Sequence, residues 1–244
     1  DLRMSRGLGD VYKRQYYGLY YSDEPDNGYR NYMELFLPSK KWNKEYIFAR
    51  NQGTGYSDNI HQEKCMAANG MGGWSGLCPT QELVDAYEMA NGSTPIIGYN
   101  ADGTPIINGA SGYSETGFAA TAGKHYPAGV YNMYVGREPR FYASINFNGQ
   151  QWRGRQLEFW QGGKDGINVS KVDYCCTGYL LRKTADEGVD VINGKGGMKE
   201  ASILFRVGSL YLDYAEALNE AEGPVDDVYK YCLLYTSDAA DDLT

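Results

Sequence analysis

Two long glycine-rich stretches, residues 51–79 and 93–137, restrict the folds open to this 244-residue chain. Neither stretch keeps the repeat of a helix or the alternation of a strand over more than a few residues. Loops of this length inside a compact domain are uncommon, and they are usually either functional or disordered. The chain is therefore expected to lay long loops on a scaffold built from the few periodic segments that remain.

Apolar side chains recur at helical spacing in three segments, residues 26–36, 80–90 and 207–221. Thr80 can cap the second helix, because its hydroxyl can accept a hydrogen bond from a free backbone N–H of the first turn. The third segment has the clearest apolar stripe and ends at a Gly-Pro pair, which stops helices. Such a stripe needs a partner helix, and none is expected before residue 231.

Three further segments are predicted to be extended. Residues 44–50 and 177–183 are short and rich in apolar side chains, and residues 140–148 alternate between apolar and polar ones. The Asn-Gly pair at the end of the alternating segment favours a tight hairpin, with a return strand directly after it. The predicted fold class is mainly α with minor β: a helical scaffold plus a long loop-rich excursion that carries a β-hairpin.

The two ends of the chain read as translated sequencing adapter rather than as protein-coding sequence. Residues 5–15, SRGLGDVYKRQ, match one reading frame of a common library adapter, and residues 232–241, CLLYTSDAAD, match the complement of its partner. Segments of this kind are set aside before a fold is derived. We therefore expect residues 1–15 and 231–244 to be non-native and residues 16–230 to be the biological part.

The charge of the chain argues against a nucleic-acid partner. The net charge is −8, whereas proteins that bind nucleic acid neutralise phosphates with clustered lysine and arginine. No apolar run reaches the ~20 residues that a membrane-spanning helix needs.

Sequence signatures of common catalytic and cofactor sites are absent. The chain has no HExxH zinc motif, no Walker A loop, no dinucleotide-binding glycine pattern and no nucleophile elbow. Its two histidines, His61 and His125, have no cysteine at the spacing of a zinc site. The sequence therefore predicts no catalytic residue, no cofactor and no metal.

The cysteines leave two interpretations open. Cys232 lies in the predicted adapter, so Cys65, Cys78, Cys175 and Cys176 remain. A Cys65–Cys78 disulfide would suit an exported protein. Buried free thiols are the alternative, and the one that the sequence favours.

Five segments occur in a recognisable order along the chain. They are KEYIFARN at 44–51, PTQELVDAYEMANG at 79–92, VGREPRFYASINFNGQQW at 135–152, TGYLLRK at 177–183 and ILFRVGSLYLDYAEALNEAEG at 203–223. Together they resemble the SusD/RagB family of surface nutrient-binding lipoproteins of Bacteroidetes, over about residues 16–230. Glu138 departs from the family pattern, which usually has Asp there, and the lipidated cysteine and early helices of the family have no counterpart in this chain.

The resemblance implies a tetratricopeptide-like scaffold of helical hairpins, incomplete in this chain, with an irregular excursion laid on it. It implies a binding protein and not an enzyme, exposed at the cell surface on the outer membrane. Such a protein captures an oligosaccharide and delivers it to a SusC-like TonB-dependent outer-membrane transporter. It would associate with the membrane only through a lipid anchor that this chain lacks. A peptide- or protein-binding member of the family and a secreted polysaccharide-degrading enzyme remain as alternatives.

Exposed aromatic rings in loops are the candidates for contact with a sugar. The chain has 23 tyrosines against 7 phenylalanines, and tyrosine and tryptophan combine a flat apolar face with a polar group. Trp74 lies in a glycine-rich loop, Tyr113 lies between a glycine and a serine, and Trp160 precedes Gln-Gly-Gly. These three residues are the predicted ligand-binding residues.

Charged residues near the alternating segment are predicted to be structural. Arg137, Glu138 and Arg140 are expected to hold a tight turn by ion pairs. Arg182, Lys183 and Arg206 are expected to anchor the excursion to the scaffold.

Overall fold

The computed structural model describes residues 17–22, 27–37, 43–51, 56–167, 172–194 and 201–237. In these residues the chain is mainly helical, with small antiparallel strand pairs. The helices are α1 (Asn27–Leu35), α2 (Tyr56–Met66), α3 (Gln81–Asp85), α4 (Pro139–Ser144), α5 (Val207–Glu222) and α6 (Asp226–Ser237). The strands are β1 (Tyr46–Asn51), β2 (Ile96–Tyr99), β3 (Pro105–Ile107), β4 (Ile145–Phe147), β5 (Gln151–Trp152), β6 (Arg155–Gln156), β7 (Tyr179–Leu181) and β8 (Ala201–Arg206).

The described strands form four separate antiparallel pairs, β1–β8, β2–β3, β4–β7 and β5–β6. Two pairs join segments that are distant in sequence: Tyr46 of β1 lies opposite Arg206 of β8, and Ile145 of β4 lies opposite Leu181 of β7. An ion pair between the buried side chains of Glu45 and Arg206, at 2.7 Å, supports the first pairing. The β1–β8 pair brings together the two ends of the excursion, which is the part of the chain between these strands, and the β4–β7 pair lies within it.

An aromatic cluster forms the larger core of the excursion. Phe141 and Phe147 are completely buried, and their nearly parallel rings have centroids 5.4 Å apart. The ring of Tyr134 stacks on Phe147 at 4.4 Å. A second apolar cluster includes Met66, Trp152, Leu157 and Leu180. Packing around these two cores, rather than an extended sheet, holds the long loops in place.

The helices predicted at residues 26–36 and 207–221 are confirmed as α1 and α5. The end of α5 also follows the prediction. Gly223 adopts a positive φ of 79°, and its N–H donates to the carbonyl of Asn219 at 2.9 Å. Glycine is favoured at this position because a side chain would strain the backbone.

The helix predicted at residues 80–90 begins where the sequence predicts, but the observed helix is shorter than the predicted one. The Thr80 hydroxyl caps α3 as predicted, accepting a hydrogen bond from a backbone N–H at 3.3 Å. α3 stops at Asp85, and a few residues later Met89 forms a β-bridge with Arg137. Pairing with a distant segment therefore overrides the helical spacing of the local sequence.

The expectation that residues 51–79 form a loop is wrong, because α2 occupies part of this stretch. One inward side chain of α2 is Glu63, which is fully buried and ion-paired with Arg153 at 2.9 Å. A search for apolar residues at helical spacing misses a helix whose buried face carries a charge pair. Residues 93–137 are largely irregular, as predicted, apart from the β2–β3 hairpin.

The extended segments predicted at residues 44–50 and 177–183 are confirmed as β1 and β7, but the hairpin predicted around Asn148-Gly149 is wrong. α4 replaces the first half of its leading strand, because Pro139 suits the first position of a helix. β4 then pairs with β7 instead of with the residues that follow Gly149. The two-residue hairpin lies slightly later, where Arg153 and Gly154 join β5 to β6 with positive φ angles, as such turns require.

α5 and α6 fold back on each other as a helical hairpin. The ring of Tyr231 in α6 contacts Tyr214 of α5 at 4.8 Å and Tyr211 at 5.5 Å. A helical hairpin is the repeating unit of a tetratricopeptide-like scaffold. The predicted fold class, mainly α with minor β, is thereby confirmed.

The partner of α5 lies earlier in the chain than the sequence predicts, because α6 begins at Asp226. α6 also extends into residues 231–244, whose origin as adapter remains a prediction. Residues 1–15 lie outside the described residues, so the same prediction for them is not tested. Within the described parts of the chain, no helix is both long and apolar enough to span a bilayer.

Candidate ligand-binding site

Trp160 lies at the tip of a tight loop formed by residues 158–167, and its side chain is 53% exposed. The N–H of Gly163 donates to the carbonyl of Trp160 at 2.9 Å. A Cβ atom at Gly166 would lie 1.8 Å from the same carbonyl oxygen. Only glycine permits this close backbone approach, so the tight turn beside the partly exposed indole needs glycine at position 166.

The base of this loop is fixed by a buried carboxylate. Asp165 is fully buried, and its two oxygens each accept a hydrogen bond from Arg155 at 2.6 Å. The backbone N–H of Glu158 donates to Asp165 at 2.9 Å, which joins the two ends of the loop. The hydrogen bonds with Asp165 raise the pKa of Arg155, as expected for a charge-assisted pair in this geometry. Trp160 is thus carried on a rigid support.

Trp74 lies in the loop that follows α2, and its side chain is 39% exposed. The ring of His61 lies 5.3 Å from the Trp74 ring, and the Lys64 ammonium lies 5.4 Å from it. The Trp74 N–H donates to the Lys64 carbonyl at 2.7 Å. A Cβ at Gly73 would lie 2.1 Å from the Ala67 carbonyl oxygen, so the loop needs glycine to pack this closely on the end of α2.

The structure brings the loops of Trp74 and Trp160 into direct contact. A Cβ at Gly70 would lie 2.4 Å from the Lys164 carbonyl oxygen and 2.5 Å from a carboxylate oxygen of Asp165. A groove of about 530 Å³ begins at Gly70 and continues along the surface. Its charged lining residues are Arg153, Arg155, Glu187 and Asp190. The two partly exposed indoles therefore lie on loops that touch. The groove beside them is not lined by either indole, and it also has apolar lining residues, namely Met71, Val189, Val191 and Ile192.

Tyr113 does not belong to this region, and the expectation that its ring is exposed is wrong. The side chain is only 6% exposed and lies in the aromatic core, where the Arg137 guanidinium lies 5.3 Å from the ring centroid. Its hydroxyl donates to Glu115 at 3.0 Å. Burial, together with the Glu115 charge, raises the pKa of Tyr113. Small neighbours in sequence indicate a loop, but they do not show which way the ring points.

A second cleft, of about 380 Å³, is a feature that the sequence analysis misses. Its lining includes Tyr29, Lys124, His125, Tyr126 and Arg182. The His125 ring lies 4.7 Å from the Tyr29 ring and Arg182 lies 5.6 Å from it, so these groups pack on each other. Clustered aromatic and basic residues at 124–126 are the only local signal, and the tyrosine comes from a distant helix.

The prediction that Arg182 anchors the excursion to the scaffold agrees with one contact, since its guanidinium lies 5.6 Å from the ring centroid of Tyr29 in α1. Its other contacts lie within the excursion. Its guanidinium donates to the Tyr142 carbonyl at 2.9 Å and lies 4.7 Å from the Trp152 ring. Its backbone N–H donates to the Ser144 carbonyl at 2.8 Å. The ion pair predicted for the turn at residues 137–140 is found between Arg140 and Glu138. Arg137 has a structural role of another kind, because its guanidinium donates to backbone carbonyls instead of to a carboxylate.

Metal binding finds no support in the part of the chain that the structure describes. No group of three or more His, Cys, Asp or Glu side chains lies close enough together there to hold a metal ion. The predicted absence of a cofactor stays a prediction.

Comparison with known proteins gives a consistent result. A model described as the SusD family matches residues 36–233. Among solved structures, a SusD-like protein from Bacteroides fragilis NCTC 9343 matches with a TM-score of 0.62 and 27% identity, over 96% of this chain and 43% of that one. A SusD-like carbohydrate-binding protein from the same strain matches with a TM-score of 0.57 and 20% identity, over 96% of this chain and 39% of that one, which bears on the fold alone. A search of curated proteins gives no significant match. The chain thus spans less than half of the structures it resembles.

Proposed function

This chain belongs to the SusD family, and on that premise we propose that it is the glycan-binding component of a TonB-dependent nutrient uptake system at the bacterial cell surface. In this role it captures oligosaccharide and delivers it to a SusC-like outer-membrane transporter, and it binds its ligand without catalysing a reaction. Family membership supports the proposal.

The observation that carries the proposal is the rigid, exposed indole of Trp160. Sugars bind proteins through contact of their C–H faces with flat aromatic rings, complemented by a few well-placed polar groups. An exposed ring on a mobile loop would lose entropy on binding, whereas the Asp165–Arg155 pair already fixes the Trp160 loop.

The surroundings of Trp160 supply the polar groups that sugar hydroxyls need. Glu158 and Lys164 form an ion pair at 3.2 Å at the base of the same loop. The adjoining groove adds Arg155 and Glu187, and Trp74 offers a second ring on the neighbouring loop. We propose that a chain of several sugar units lies over this region, with Trp160 as the main stacking surface and Trp74 as the second.

Binding of a panel of purified oligosaccharides, measured by titration calorimetry, tests this site. Trp160→Ala is expected to weaken binding by about 10-fold or more, as truncation of a central aromatic contact does at other interfaces. Trp74→Ala is expected to weaken it less. Phe118→Ala is the matched control, because Phe118 is also an exposed ring (68%) but lies on a separate loop against Tyr131.

Unchanged affinity after both tryptophan substitutions would rule out this site. Binding of peptides but of no glycan would favour the peptide-binding alternative, and turnover of any polysaccharide by the purified protein would contradict a binding-only role. Delivery to a transporter is tested separately, by affinity capture of the outer-membrane transporter from native membranes with the full-length protein. Failure to capture the transporter would contradict the delivery step but not the glycan-binding site.

A further inference from the structure

Two cysteines from distant parts of the chain meet beside the Trp74 loop. The sulfur atoms of Cys78 and Cys175 lie 3.8 Å apart, although the residues are 97 positions apart in sequence. Both thiols are free in the structure. A disulfide needs the sulfurs at about 2.0 Å, so a change of side-chain torsion and a small backbone adjustment would join them.

Independent contacts hold the two segments together, so the approach of the sulfurs is built into the fold. The N–H of Leu181 donates to the carbonyl of Leu77 at 2.9 Å, directly beside Cys78. The Tyr179 hydroxyl donates to the side chain of Gln81 at 2.8 Å. Cys175 belongs to the same apolar cluster as Met66 and Trp152, and Cys78 packs against that cluster.

We propose that Cys78 and Cys175 form a disulfide bond when the protein meets a disulfide oxidant. This pairing differs from both sequence-based interpretations, since it replaces the Cys65–Cys78 bridge and makes two of the thiols reactive. The inference depends on the positions of the two thiols, so a failure to bind glycan would not count against it.

The reaction is a pair of thiol–disulfide exchanges with a small disulfide such as oxidised glutathione. The Cys78 thiolate attacks one sulfur of the oxidant, forms a mixed disulfide and releases one glutathione thiolate, which takes up a proton. Cys175 then loses its proton and attacks the Cys78 sulfur, releasing the second glutathione. The two cysteines lose two electrons and two protons, and the oxidant is reduced to two thiols.

The electrostatic surroundings favour this order of attack. Hydrogen bonding with Cys175 lowers the pKa of Cys78 to about 6, and backbone N–H groups of Cys176 and Thr177 add to the effect. Hydrogen bonding to Cys78 and burial raise the pKa of Cys175. Cys78 is also the more exposed of the two, so it is the thiol that an oxidant reaches as a thiolate.

A variant with Cys65→Ser, Cys176→Ser and Cys232→Ser leaves Cys78 and Cys175 as its only thiols and gives the direct test. After incubation with oxidised glutathione, we expect its mass to fall by about 2 Da rather than to rise by the ~305 Da of each retained glutathione. Trypsin should then release residues 65–124 joined to residues 172–182. The matched control keeps Cys176 in place of Cys175, and its ring closure should be about 10-fold slower or absent, because Cys176 is exposed and donates to Tyr174 instead.

Two free or singly glutathionylated thiols in the Cys78/Cys175 variant would overturn the proposal, as would faster closure in the control. If the variant fails to fold, the same oxidation experiment on the unmodified chain tests the proposal. Its five cysteines should fall to three free thiols with the same linked peptides, whereas five retained thiols would refute the bridge. Oxidation should also raise the midpoint of thermal unfolding by about 10 °C, reversed by reductant, because the bond closes a loop of nearly a hundred residues.

Discussion

Arg137 shows how the surroundings of a single residue determine its role. Arg137 is almost completely buried, and its guanidinium donates to the carbonyl oxygens of Val84 at 2.6 Å, Tyr87 at 2.7 Å and Met133 at 3.3 Å. It also lies over the ring of Tyr113. One cation thus ties the end of α3 to the aromatic core, and the tyrosine predicted to bind a sugar is instead part of this internal support.

Tyr46 gives a prediction about alkaline stability. Its side chain is buried, and its hydroxyl donates to the Leu35 carbonyl at 2.6 Å. Burial, with a smaller contribution from the charge of Glu45, raises the pKa of Tyr46 from 10.0 to about 12. The folded state therefore prefers the protonated phenol. This contribution to stability is complete below pH 10 and is lost as the pH rises towards 12.

A Tyr46→Phe variant isolates this effect. It should be less stable than the unmodified protein by about 1 kcal/mol at pH 8, because it lacks the hydrogen bond to Leu35. Between pH 10 and 12 the difference should shrink and then reverse, because phenylalanine has no proton to lose. Urea unfolding across this range measures it, and a difference that stays constant with pH would show that the phenol does not titrate with folding.

At the scale of whole elements, the sequence predicts those whose signals are local. The cap of α3 and the glycine end of α5 need only a few neighbouring residues, and both are confirmed. Residues 141–147 show why the predicted hairpin fails: all seven are buried, so their alternation does not separate an inner from an outer face. The local sequence does not predict α2 for a related reason: its buried Glu63 forms an ion pair with Arg153, which lies in a distant turn.

In the candidate site, too, the sequence predicts the features that depend on neighbouring residues but not those that depend on distant ones. Sequence composition identifies Trp74 and Trp160 as rings in glycine-rich loops, and the structure gives both partial exposure. Their shared region depends on the contact of Gly70 with Lys164 and Asp165, which no local pattern contains. Side-chain direction in a long loop is decided by tertiary packing, and Tyr113 is the residue for which this matters most.

The Trp160 loop gives a prediction at this scale. Asp165→Asn keeps the size of the side chain but replaces one acceptor oxygen with a donor, so the two-fold contact with Arg155 is lost. The expected cost is about 3 kcal/mol of stability, faster hydrogen exchange at residues 158–167 and glycan binding weakened by about 10-fold, with Trp160 intact. Lys164→Ala is the control for stability and hydrogen exchange only, since removing a surface ion pair should cost less than ~1 kcal/mol. Equal exchange rates in the variant and the unmodified protein would mean that Asp165 does not hold the loop.

Over the whole molecule, several large apolar side chains of the scaffold are exposed, as are others on the loops and hairpins of the excursion. Leu210, Leu212 and Tyr214 on α5 are each at least one-third exposed, and Phe48 and Leu204 on the β1–β8 pair are about 60% exposed. Large exposed apolar surfaces on soluble proteins commonly mark sites of association. The aligned part makes up less than half of each of the two solved SusD-like structures.

We therefore predict that the chain, produced as it stands, self-associates through these scaffold surfaces. Sedimentation velocity over a series of concentrations should show species larger than a monomer that grow with concentration. Combined Leu210→Gln and Leu212→Gln substitutions should reduce this association while costing no more than ~0.5 kcal/mol each, because exposed positions contribute little to folding. Leu83→Gln is the control, as Leu83 is equally exposed (48%) but lies on the short helix α3 of the excursion. A monomeric unmodified chain at every concentration would show that these side chains are tolerated in water, and the apolar surface of α5 would then need no partner.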